Sequence, residues 1–168
     1  MLAIGIDPGT AITGYGLVQQ NKAGELEAVD WGVILTPANS PIGERLFHIY
    51  DSLQEILKRT QPEAAAVEAL FFQRNVRTAM SVGQARGVVL LALQQAGLLA
   101  ADYSPNEVKQ SITGYGSADK SQMQHMVQAL LKLPEMPTPD DAADALAVAI
   151  CHLNRVRTQT LIDGAQLP

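Results

Sequence analysis

Four carboxylates occupy positions where a plain structural role is expensive. Asp7 closes the apolar segment Leu2-Ala3-Ile4-Gly5-Ile6-Asp7, and Glu68 lies near the end of another, Ala64-Ala65-Ala66-Val67-Glu68-Ala69-Leu70. A carboxylate at the end of a buried strand must be solvated, hydrogen-bonded or bound to a cation. Glutamate is among the residues least often fully buried when unpaired. Asp141 and Asp144 stand three apart at the head of the apolar run Ala145–Ile150, a spacing that puts both on one helix face. Asp140 and Asp144, four apart, satisfy the same geometry, so the pattern leaves Asp140 as an alternative ligand.

Each acid also has a plainer reading. Pro8-Gly9 marks a turn behind Asp7, Glu68 can pair with Arg74 or Arg77, and Thr138-Pro139-Asp140-Asp141 is an ordinary helix start with Thr138 as N-cap. None of this accounts for Asp144, one turn into a helix that is apolar all round. Four negative charges held together need compensation, and hard divalent cations supply it through oxygen ligands. A clustered His/Cys motif is lacking, which argues against zinc. Two cations about 3.5–4 Å apart would clamp a phosphodiester for in-line attack by water.

Basic and aromatic residues fit the same chemistry. Lys109 and Lys120 lie at helix starts, and Arg74 follows Phe71-Phe72-Gln73. A lysine beside the scissile phosphate stabilises transition-state charge, and others neutralise backbone phosphates. Taken singly, Lys109 and Arg74 read as solvated surface charges. Phe71-Phe72 offers a stacking platform for an unpaired base, against the alternative that one of the two is core. His125 and His152 fall on helices, where packing or surface roles outweigh ligation.

The elements that must position these groups follow from hydrophobic period. Leu2–Asp7, Gly14–Gln20 and Leu26–Leu35 read as an antiparallel meander. Leu46, Ile49, Tyr50, Leu53, Ile56 and Leu57 recur at helical spacing over 42–60. Ala64–Leu70 reads as a buried strand, Val76–Ala96 as a long helix ended by Gly97, and Leu98–Tyr103 as a fifth strand. Helices are expected over 105–112, 119–131 and from Asp140 to Val156. The fold class is therefore α/β: a mixed five-stranded sheet, three antiparallel meander strands plus two parallel, flanked by helices. Residues 1–158 are expected as one domain and 159–168 as a flexible tail. In the long helix, Gly83 and Gly87 imply close approach of another backbone, either this chain's own sheet or the same helix of a second subunit.

The chain has 168 residues, 47% of them hydrophobic, which excludes disorder. No apolar run approaches the roughly 18 residues of a membrane span, and Met1 leads into Leu2-Ala3-Ile4 with no signal-peptide pattern, so a cytoplasmic location is expected. The one cysteine, Cys151, reads as a small buried hydrophobe. The net charge of −5 argues mildly against nucleic acid, but it is uneven. Residues 1–70 carry 4 basic and 9 acidic side chains, 71–132 carry 6 and 3, and 133–168 carry 2 and 5. A basic middle between acidic flanks allows a local basic face.

Several blocks in order resemble the RuvC family of crossover (Holliday) junction endonucleases, from Ile4 to about His152. They are Gly5-Ile6-Asp7-Pro8-Gly9-Thr10 with Thr13-Gly14-Tyr15-Gly16, Gly83-Gln84-Ala85-Arg86-Gly87, Val108-Lys109-Gln110, Gly116–Gln122 with Gln124–Val127, and Asp141-Ala142-Ala143-Asp144-Ala145-Leu146-Ala147. The resemblance implies a ribonuclease-H-like fold, a homodimer, and paired symmetric nicks across a four-way junction in recombination and repair. It carries the metal ligands over to Asp7, Glu68, Asp141 and Asp144, leaving Asp140 as an extra acid. It also implies active-site lysines at Lys109 and Lys120 and a base-stacking aromatic at Phe71. The cofactor it implies is Mg²⁺, two per active site, with Mn²⁺ as a substitute. Its partners are four-way junction DNA and a junction-binding, branch-migration complex of the RuvA and RuvB type. Two other readings compete. The pattern Asp7, Gly9, Gly14 also matches a phosphate loop of actin-like kinases, of which this length supplies one lobe. A non-catalytic junction-binding module would make the acids structural.

Overall fold

In a computed structural model of the chain, which describes residues 1–69 and 76–165, the expected mixed sheet is present. β1 (Leu2–Asp7), β2 (Ile12–Gln20) and β3 (Leu26–Leu35) form the meander. They are followed by α1 (Ile42–Thr60), β4 (Ala64–Glu68), α2 (Val76–Gln95), β5 (Ala100–Tyr103), α3 (Pro105–Thr113), α4 (Lys120–Leu130) and α5 (Asp140–Ala165). The strand order is β3-β2-β1-β4-β5. β1 runs antiparallel to β2 and parallel to β4, and β4 runs parallel to β5. The C-terminal ends of β1, β4 and β5 therefore lie at one edge.

Strand alternation sorts the side chains into two cores. Ile4, Ile6, Leu17, Ala65 and Val67 pack with α1 and α2 on one face. Ala3, Val18, Ala66 and Tyr103 pack with α3, α4 and α5 on the other. The α5 face is built from small residues, and this is what lets the last helix lie close to the sheet. A Cβ added at Gly14 would meet the carbonyl oxygen of Asp141 at 2.0 Å, and one at Gly5 would meet that of Ala145 at 2.2 Å. The helix answers with Ala142, Ala145 and Ala149, all fully buried.

The structure shifts some boundaries. β4 ends at Glu68, and β5 begins at Ala100, two residues later than the hydrophobic pattern suggested. α5 continues through Val156 to Ala165, so residues 159–165, expected as a tail, extend a helix. Thr138 is not the N-cap of α5. The carbonyl of Pro139 accepts from Ala142 at 3.0 Å, which makes Pro139 the residue before the first turn. Among the described residues, an added Cβ on Gly87 meets nothing within 4 Å, so no described backbone approaches it. No helix among the described residues is long and apolar enough to cross a membrane.

Candidate active site

Period-two alternation aims two of the acids. Ala3, Gly5 and Asp7 share the α5 face of β1, and Ala64, Ala66 and Glu68 share the same face of β4. In the parallel register Ile6 is opposite Val67, so Asp7 and Glu68 end adjacent strands side by side. Asp7 is also opposite Gly14, the residue against which the first turn of α5 rests. That contact carries Asp141 and Asp144 over the strand ends.

The electrostatics record the crowding. Asp7 is pushed up to about 8, first by burial and then by the charges of Glu68, Asp144 and Asp141. Asp7 and Glu68, side by side at the strand ends, titrate as an interacting pair. Glu68 is raised by burial, as is Asp144. Lys109 opposes the shift at both, and Lys120 opposes it at Asp144.

Glu68, Asp144, Lys109 and Lys120 line a cavity of about 230 Å³ with Pro105, Val108, Met123 and Ala147. α3 brings Lys109 to it, its start fixed by a capping box between Ser104 and Glu107. α4 brings Lys120 as its first residue, behind a second capping box between Asp119 and Gln122. Lys120 Nζ is 2.9 Å from Asp140 Oδ2 and 3.8 Å from Asp144 Oδ2. Asp140 stands at the rim. It is exposed, pairs with Lys120 and Gln124, and is held below the usual carboxylate range mainly by those hydrogen bonds.

Among the described residues, no three acidic, histidine or cysteine side chains form a preformed metal cluster. Burial and the neighbouring charges favour a proton on Asp7, and the Lys120 ammonium stands 3.8 Å from Asp144 Oδ2, so a proton and a cation can offset the negative charge. The donor set still fits a hard divalent cation: it is all oxygen, negatively charged and partly withdrawn from water. Such an ion would take over the compensation that the proton and the ammonium supply. The fit to a nucleotide-phosphate loop is poorer. The Asp7-to-Thr10 turn spends its polar groups internally, with Thr13 Oγ1 donating to the Gly9 carbonyl at 2.6 Å and buried Thr10 Oγ1 donating to that of Ser81 at 2.6 Å.

Phe71 and Arg74 lie outside the described residues. His125 is exposed beside Ser121, and His152 bonds the Tyr103 hydroxyl at 3.0 Å with burial lowering its basicity, so neither joins the acids. Cys151 is buried, as expected. Sequence reasoning missed Gln124, whose signal is its place one helical turn after Lys120 on α4.

The sequence profile described as crossover junction endodeoxyribonuclease RuvC matches residues 3–152. The crossover junction endodeoxyribonuclease RuvC of Desulfitobacterium hafniense is 54% identical over 165 residues, 98% of this chain and 99% of that protein. That of Chloroflexus aggregans is 57% identical over 152 residues, 90% of this chain and 92% of that protein. The structure of T. thermophilus RuvC in complex with Holliday junction substrate superposes with a TM-score of 0.87 at 37% identity, covering 95% of this chain and 98% of that one. Similarity of this depth over nearly the whole length, on the ribonuclease-H-like sheet described above, places the chain in the RuvC family of crossover junction endodeoxyribonucleases.

Proposed function

We propose that the protein resolves four-way (Holliday) DNA junctions by hydrolysing one phosphodiester in each of two strands, leaving 5′-phosphate and 3′-hydroxyl ends. The observation that carries this reading is the convergence of acids at one end of the sheet: Asp7 beside Glu68 at the strand ends, the start of α5 packed on Gly14, and Glu68 and Asp144 lining one cavity with Lys109 and Lys120, so that the charges of Glu68, Asp144 and Asp141 add to burial in pushing Asp7 up to about 8. Those four would hold Mg²⁺, as two ions per site with Mn²⁺ as a substitute. The metal supplies polarisation of the attacking water and stabilisation of the leaving 3′-oxygen. Asp7 must release its proton to become a ligand. Lys120 and Lys109, on opposite helices of the cavity, face the phosphate and offset its charge. Phe71 would stack on an unpaired base at the crossover, and Arg74 would contact the backbone beside it.

Symmetric nicking calls for two sites, and an exposed stripe of α2 supports a homodimer. Met80, Gln84, Gly87 and Leu91 follow helical spacing on one stripe, with Met80 66% and Leu91 54% exposed. In a cytoplasmic setting the junction would be delivered by a branch-migration complex of the RuvA and RuvB type.

The test is cleavage of a mobile four-way junction against linear duplex, with and without Mg²⁺. Paired symmetric nicks in the junction alone, requiring the metal, are the expected result. Asp7→Asn and Asp144→Asn proteins should bind the junction without cutting it. Cutting by either at the wild-type rate removes the site assignment, and metal-independent binding with no cleavage under any divalent ion would make the protein a binding module instead.

A further inference from the structure

Asp140 begins α5 one residue before the proposed ligand Asp141, and its two carboxylate oxygens are separately engaged. Oδ1 accepts from Gln124 Nε2 at 2.7 Å, and Oδ2 pairs with Lys120 Nζ at 2.9 Å. Lys120 and Gln124 lie one turn apart on α4, so the carboxylate bridges the starts of two helices. The same ammonium stands 3.8 Å from Asp144 Oδ2, on the wall of the cavity. A lysine carries four rotatable methylenes and loses rotamer freedom when fixed, so an unrestrained Lys120 would spend most of its time elsewhere.

We propose that Asp140 is not a metal ligand but a positioning residue: braced by Gln124, it holds the Lys120 ammonium at the mouth of the carboxylate site, ready for the scissile phosphate. The proposal rests on the reading of Lys120 as an active-site lysine. It explains why a chain that already has Asp141 and Asp144 carries a third acid at the head of the same helix. Lys120 and Asp140 are 57% and 56% exposed, so the pair adds little to folding, and its effect falls on geometry.

The test uses the full-length protein and the variants Asp140→Ala, Asp140→Asn, Asp140→Glu, Gln124→Ala and Lys120→Met. Lysines are reductively methylated with ¹³C, and the Lys120 resonance, assigned with Lys120→Arg, is observed without metal or DNA. In Asp140→Ala and Asp140→Asn it should shift and sharpen, and in Asp140→Glu it should stay near the wild-type position. Single-turnover cleavage of a four-way junction should fall about tenfold in the first two variants, less in Gln124→Ala, and recover in Asp140→Glu. The Mg²⁺ concentration for half-maximal rate and the metal-free junction affinity should stay within about twofold of wild type. A large rise in the Mg²⁺ requirement with an unmoved Lys120 resonance makes Asp140 a ligand and overturns the proposal. Wild-type cleavage by Asp140→Ala overturns it whatever the resonance does. Lys120→Met separates the two levels, because wild-type cleavage by that variant removes the role of Lys120 itself.

Discussion

Asp7 and Glu68 end adjacent parallel strands side by side, and the Asp7 carboxyl is pushed up to about 8 by burial and by the neighbouring acids. At neutral pH without metal the site is therefore closed by a proton. A divalent cation must displace it, so metal binding should release about one proton below pH 8. Apparent Mg²⁺ affinity should strengthen by up to about tenfold for each pH unit between 6 and 8 and level off above. Calorimetric titration in two buffers of different ionisation enthalpy measures the proton count. No release at pH 7 would contradict a protonated Asp7.

The same proton makes a prediction about stability. An unfolded aspartate titrates near the ordinary 3.8, whereas Asp7 in the fold titrates near 8. Between those values the metal-free folded chain holds one more proton than the unfolded chain, so stability falls as pH rises through that window. The contribution is complete below pH 4 and gone above pH 8. Asp7→Asn removes the buried charge and should raise the metal-free melting temperature at pH 8 by about 4–8 °C, corresponding to about 2 kcal/mol for a chain of this size. The same variant should lose more than about 100-fold in cleavage, since a ligand is gone. A stabilised but inactive protein is the signature. Destabilisation at pH 8 would mean that Asp7 contributes to folding as a charged group.

Close contact between helix and sheet sets the geometry of the site, and Gly14 tests it. A Cβ there would lie 2.0 Å from the Asp141 oxygen and 2.5 Å from its carbonyl carbon, both backbone atoms that cannot rotate away. Gly14→Ala must lift the first turn of α5 from the strand. Overpacking of this kind typically costs about 1–3 kcal/mol. Displacement of Asp141 and Asp144 should lower cleavage by about 100-fold even where the protein remains folded. Circular dichroism melts and single-turnover cleavage at a temperature below both melting transitions separate the two effects. Normal cleavage by a folded Gly14→Ala protein would show that the α5 contact does not set the site.

These relationships were unequally visible in the sequence. The apolar runs that end in Asp7 and Glu68 announced strand-end acids, because alternation fixes which face a residue takes. The spacing of Asp140, Asp141 and Asp144 could not choose between ligands, since both pairs share a helix face and any acid suits a first turn. What sets Asp140 apart is its pairing with Lys120 and Gln124, a contact between two helices that no local pattern encodes. Gly14 read as the start of a strand and as part of a phosphate-loop pattern, and its real partner is a helix more than 120 positions away. The length of α5 was hidden for the opposite reason. From Arg157 to Gly164 its residues are exposed, Leu161 and Ile162 included, and no buried apolar stripe marks the helix while it continues.

Gly87 inverts the logic of Gly14. No described residue lies within 4 Å of a Cβ added there, and the residue sits between exposed Met80 and Leu91 on α2. Replacing an interior helical glycine by alanine should stabilise the isolated protomer by about 0.5–1 kcal/mol. If α2 packs against its copy in a homodimer, the close approach that glycine permits is lost, and dimer dissociation should become easier. Gly87→Arg adds bulk and charge to the same stripe and should give monomers at micromolar concentration. Sedimentation velocity measures the association, and thermal melts at low protein concentration measure the protomer. On a four-way junction the monomeric variant should make single nicks in place of paired ones. A Gly87→Arg protein that stays dimeric and nicks in pairs would place the subunit contact on another face.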